Sequence, residues 1–63
     1  MKNKIILKKE DPRMIALIYD FIRVNKGVII EYSDSFLIIE KDDILIHLLL
    51  KSQLFSTKIE AVI

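Results

Sequence analysis

Sixty-three residues make one small domain, near the lower size limit for a chain that folds alone. Hydrophobic residues are 52% of it, cysteine is absent, and ten basic residues against nine acidic leave a net charge of +1. Disulfides and thiolate metal sites are thereby excluded, and nothing in the charge total implies an electrostatic pull towards nucleic acid or an anionic membrane.

The chain starts Met1-Lys2-Asn3-Lys4, with only Ile5-Ile6-Leu7 before the next lysine, so no secretory leader is expected. Lys4–Lys8 reads as a strand with Ile5-Ile6-Leu7 at its core. Asp11 then offers an N-cap, and Pro12 suits the first helical position, where its missing N–H is no loss. Gly27, the only glycine, suits the left-handed residue past a helix end. Between them Arg13, Asp20 and Arg23 form one narrow polar stripe, and the remaining residues are apolar over a wider arc than one sheet face requires.

Val28–Tyr32 is rich in β-branched residues, Ser33-Asp34-Ser35 is a turn by composition, and Phe36–Ile39 follows as another strand, which together predict a hairpin. Ile44–Leu50 is ambiguous. As a helix its polar residues Asp43, His47 and Lys51 fall on one i, i+4 stripe, and Asp42 or Asp43 supplies the cap. As a strand it needs Asp42-Asp43 as a tight turn, a poor choice where both residues want positive φ. The helical reading is preferred and extends through Phe55, about thirteen residues in all. Thr57–Ile63 reads as a last strand with Ile59, Ala61 and Ile63 inward.

The expected fold class is therefore α+β, with the order β-α-β-β-α-β of a ferredoxin-like two-layer sandwich and a sheet ordered 4-1-3-2. The alternative is β-α-β-β-β, with residues 44–50 as a strand. In the preferred topology the two strands with continuous apolar runs, Ile5–Leu7 and Phe36–Ile39, are the central ones.

Helices on one side leave the other sheet face open, so continuous apolar strands imply a second buried surface. A homo-oligomer is expected, most simply a two-fold dimer. It would form through the open face (Ile5, Leu7, Leu37 and Ile39, or their alternates), through the uncharged second-strand edge, or through the outer side of the first helix. The residues assigned to this interface are Leu17, Val24, Val28, Ile29, Ile30, Leu37 and Ile39.

No residue set is assigned a catalytic, metal-binding or cofactor-binding role. His47, the only histidine, has Asp43 one turn away but no nucleophile to activate. Glu31, Asp34, Glu40, Asp42 and Asp43 cluster in sequence without calcium-loop spacing or its glycine. Tyr32 and Phe36 flank the hairpin turn, but the third strand lacks the glycine and further aromatics of an RNA-recognition sheet.

The expected function is a non-enzymatic interaction or regulatory module acting as a homo-oligomer, with an unidentified protein partner as a further possibility. The alternative is a nucleic-acid-associated protein whose dimer lines up Lys2, Lys4, Lys8, Lys9, Arg13 and Arg23 in a basic groove. The longest uncharged run, Ile44–Leu50, is far short of the ~20 apolar residues of a membrane span. A cysteine-free chain fits the cytoplasm. Few amide residues beside many Lys and Glu give a thermophile-like bias.

Overall fold

The computed structural model describes all of residues 1–63 in the order β1 (Lys2–Leu7), α1 (Pro12–Val24), β2 (Ile29–Tyr32), β3 (Phe36–Glu40), α2 (Asp43–Lys51), α3 (Gln53–Ser56) and β4 (Ile59–Val62). Four antiparallel strands form one sheet in the order β2-β3-β1-β4, with the two continuously apolar strands at its centre.

α1 begins where the chemistry of Asp11 and Pro12 places it. Asp11 is extended (φ −151°, ψ 95°), and its Oδ1 accepts the N–H groups of Arg13 at 3.1 Å and Met14 at 3.2 Å. Two of the donors left unpaired by the first helical turn are thereby satisfied. The other end corrects the expectation for Gly27. The left-handed residue is Lys26 (φ 63°), and no glycine has positive φ. Lys26 N–H donates to the Arg23 carbonyl at 3.0 Å and Gly27 N–H to the Ile22 carbonyl at 2.8 Å, which is the bond pair of a Schellman motif. Gly27 is required for space instead: a Cβ there would lie 2.5 Å from Ile22 Cγ2 and 2.6 Å from Leu45 Cδ2.

All of residues 44–50 lie in α2, so the β-α-β-β-β alternative does not form. Asp42 is the cap, with Oδ1 accepting the N–H of Leu45 at 3.0 Å. Its own N–H donates to Asn3 Oδ1 at 3.2 Å, which ties the start of α2 to β1. The helix does not run thirteen residues. It stops at Lys51, Ser52 turns extended (φ −81°, ψ 121°), and the short α3 follows. On an unbroken helix Ser52 and Ser56, three and seven positions past Leu49, would line the buried face, leaving Phe55 on a flank. The break re-aims the chain so that Phe55 is buried.

The core has twelve residues: Ile5, Leu7, Leu37, Ile39 and Ile59 from the sheet, Met14, Ile15, Ile18 and Ile22 from α1, and Leu45, Leu49 and Phe55 from α2 and α3. All three helices therefore cover the same sheet face, as in a two-layer α+β fold. Phe21 meets Phe55 edge-on at 5.3 Å, joining α1 to α3, and Tyr19 meets Tyr32 edge-on at 5.2 Å, joining α1 to β2.

Both edge strands are irregular. Ile29 pairs with Ile39 but Glu31 with Ile38, so Ile30 is an extra residue in β2. Leu7 pairs with Ile59 but Ile6 with Ala61, so Glu60 is an extra residue in β4. The second bulge inverts the expected parity of the last strand. Ile59 and Val62 face the core, Ala61 lies opposite Ile6 on the other side, and Ile63 is 71% exposed. One inserted residue suffices because strand side chains alternate with period two.

Candidate interaction surface

The sheet face away from the helices can be read from the strand register. Lys2 lies opposite Glu40, Lys4 opposite Ile38, and Ile6 opposite Phe36, while Asn3–Ile39 and Ile5–Leu37 occupy the core side. β2 adds Glu31 beside Ile38. β4 adds Ala61 beside Ile6, and Ile63 beside Lys4 through two backbone hydrogen bonds, of 2.6 Å from the Lys4 N–H and 3.0 Å back to its carbonyl. Three cross-strand rows result: Glu31–Ile38–Lys4–Ile63, Phe36–Ile6–Ala61, and Glu40–Lys2. No helix lies over them. Ile6, Phe36 and Ile38 are only half-buried, by one another, and the Lys4 ammonium sits 4.6 Å from the centre of the Phe36 ring, a cation–π contact.

This placement corrects two of the expected interface residues. Leu37 and Ile39 are fully buried beneath the helices, so they belong to the core and not to the open face. Their alternates Phe36 and Ile38 face outward. Glu40 carried the missing signal: it shares parity with 36 and 38, and a carboxylate ending the strand fixes that parity as the solvated one.

The remaining expected residues divide between two other surfaces. Val28 and Ile30 are exposed on the β2 edge and Ile29 is half-buried there. Val28–Ile30 carries no charge, but the exposed Glu31 and the Ile30 bulge, which interrupts the ladder, both discourage pairing at this edge. Leu17 (47% exposed) and Val24 (80% exposed) share a flank of α1 with Phe21, since positions 17, 21 and 24 are helical neighbours. Phe21 touches Phe55, so this flank looks towards α3.

The six basic residues of the alternative reading are brought together only in part. Lys2 and Lys4 are on the open face, Lys8 and Lys9 are exposed in the β1–α1 loop, and Arg13 and Arg23 are exposed on α1. Arg23 lies 6.0 Å from the Tyr19 ring, on the other layer from Lys2 and Lys4. Within the open face Glu31 and Glu40 offset the two lysines.

His47 is exposed on α2 in the stripe with Asp43 and Lys51. Among the acidic residues around the hairpin, Asp42 serves local structure through its carboxylate, as the cap of α2. Ser33 and Ser35 close the turn, with Ser35 N–H donating to Ser33 Oγ at 3.2 Å, and the Asp34 carbonyl accepts the Asp11 N–H at 2.9 Å. No group of three or more His, Asp or Glu side chains is placed to hold a metal ion. A shallow groove between α1 and β2 is lined by Tyr19, Tyr32, Asp20 and Asp34. No helix is long and apolar enough to cross a membrane. No protein-family model, no curated protein and no solved structure matches the chain.

Proposed function

We propose that this chain is a small non-enzymatic interaction or regulatory module of the cytoplasm that works as a homo-oligomer through a hydrophobic surface. The observation that carries the reading is the balance between inside and outside. Twelve residues form the core, while eleven large hydrophobics, among them Leu17, Val24, Ile30, Ile44 and Ile63, stay exposed. Single exposed apolar side chains are ordinary on a monomer, but a number close to that of the core supports a further surface to be buried. The ferredoxin-like description of the fold is part of the same proposal. It is supported by the sheet order, which runs β4-β1-β3-β2 from the opposite edge.

Native mass spectrometry and light scattering of the full chain at tens of micromolar test the reading. A dimer or larger closed assembly is expected. A single 7.4 kDa species throughout would remove it.

The second reading, nucleic-acid association, is favoured by one observation: Lys4 and Phe36 lie side by side on the two central strands, the combination of cation and aromatic that holds single strands. Glu31 and Glu40 on the same face weigh against it.

A further inference from the structure

We infer that the open sheet face is the self-association surface, and that a second copy packs on it about a two-fold axis running along the boundary between β1 and β3. The inference rests on the homo-oligomer reading above and adds its location, its occupant and its geometry.

The argument is the lateral segregation of charge. The lysines of this face, Lys2 and Lys4, both lie on β1, whereas Glu40 lies on β3 and Glu31 on β2. A two-fold axis along the strands between β1 and β3 lays β1 of one copy on β3 of the other. Lys2 then meets the other copy's Glu40, and Lys4 stands over Ile38 with the other copy's Glu31 one strand away. Ile6 meets the other copy's Phe36, so the apolar row is closed by itself. The arrangement makes the Lys2–Glu40 contact twice per dimer and packs the half-buried Ile6 on Phe36, with the Lys4 stem over Ile38 between them and its ammonium reaching towards the other copy's Glu31. Glu60 is the exception. It lies on the lysine side, but as the extra residue of the β4 bulge it is exposed at the outer edge.

A crossing axis, perpendicular to the strands and centred on the Lys4–Ile38 row, fails on the same criterion. It would set Lys4 against the other copy's Lys4 and Ile38 against Ile38, with like charges facing across a dry gap. Face-to-face sheets pack about 10 Å apart with strands roughly 30° from aligned, a separation that lysine and glutamate side chains span together. The lysine–glutamate pairing of Lys2 with Glu40 also exists within one sheet, so the test must read pairing between copies.

Three preparations serve that purpose: the wild-type chain, a Lys2→Glu/Lys4→Glu variant and a Glu31→Lys/Glu40→Lys variant. Lys2, Glu31 and Glu40 are exposed and Lys4 is half-buried; each variant sets like charges across the Lys2–Glu40 pair within the sheet, so circular dichroism first checks that both fold. Native mass spectrometry at tens of micromolar should show a wild-type dimer, and each variant alone should lose about tenfold or more in self-affinity. Mixed in equal amounts, the two variants should form a one-to-one heterodimer, because every reversed lysine meets a reversed glutamate. Adding Ile38→Glu to both should abolish that heterodimer, which separates face packing from attraction between opposite net charges.

A wild-type dimer whose charge variants keep full self-affinity, or whose mixture yields no heterodimer, overturns this geometry while leaving the homo-oligomer reading in place. A wild-type monomer overturns both. Saturable binding of a single-stranded oligonucleotide that Lys2→Glu/Lys4→Glu removes would assign the face to nucleic acid and overturn the inference too.

Discussion

Gly27 and Leu45 occupy the same narrow space from opposite sides: the Cβ that Gly27 lacks would sit 2.6 Å from Leu45 Cδ2, with Ile22 Cγ2 equally close. The loop leaving α1 therefore passes hard against the first buried turn of α2. Gly27→Ala should destabilise the chain by about 1–3 kcal/mol through overpacking, read as a lower urea midpoint at unchanged slope.

The neighbouring residue predicts the opposite sign. Lys26 holds φ 63°, a conformation that a side chain resists and glycine does not. Lys26→Gly should stabilise by about 0.5–1 kcal/mol in the same titration. A stabilising Gly27→Ala together with a destabilising Lys26→Gly would reverse the assignment of their roles.

Asn3→Ala should cost about 1 kcal/mol, since the half-buried N–H of Asp42 loses its acceptor across 39 positions of sequence. Amide exchange should speed up at Asp42 and in the first turn of α2 ahead of the rest of the helix. Uniform acceleration along α2 would show that the Asn3 bond has no local role.

Adjacent residues of β3 should behave oppositely. Leu37→Ala empties a fully buried site and should cost about 2–5 kcal/mol of stability. Ile38→Ser should cost far less in folding but lower the association constant. If the two variants exchange these phenotypes, the face assignment of β3 is wrong.

Heparin chromatography at low salt addresses the dispersed basic residues. Arg13 and Arg23 lie on the helix layer, away from Lys2 and Lys4, and Glu31 and Glu40 offset the lysines of the open face, so weak retention with a shallow salt dependence is expected. Retention that falls steeply as salt rises would indicate many simultaneous phosphate contacts.

Much of this architecture was legible from local chemistry. Asp11 and Pro12 announced α1, the Asp43–His47–Lys51 stripe announced α2, and Ser33–Ser35 marked the hairpin turn. What escaped lay where one signal had two physical meanings. Phe36-Leu37-Ile38-Ile39 is apolar at both parities, so period two could not say which side faces the helices, and Leu37 and Ile39 were assigned to the interface. A lone glycine after a helix signals freedom in φ as readily as a missing Cβ, and at Gly27 it is the missing Cβ that matters. Nothing local marks Ser52 as a break, because the gain is the burial of Phe55, a contact with α1 made across the fold. The Glu60 bulge, which turns Val62 inward and Ile63 outward, is likewise set by pairing with β1.

The two bulges, at Ile30 and Glu60, bear on how large an assembly can become. A sheet with straight edges can accept copies side by side without limit, each new strand offering the next edge, which is the route to a fibre. Here both outer ladders are broken after a few residues, so sideways addition has no regular template. A flat face on a two-fold axis, by contrast, is consumed by its first occupant. On the proposed two-fold arrangement the open face would form a closed pair, and growth would stop there.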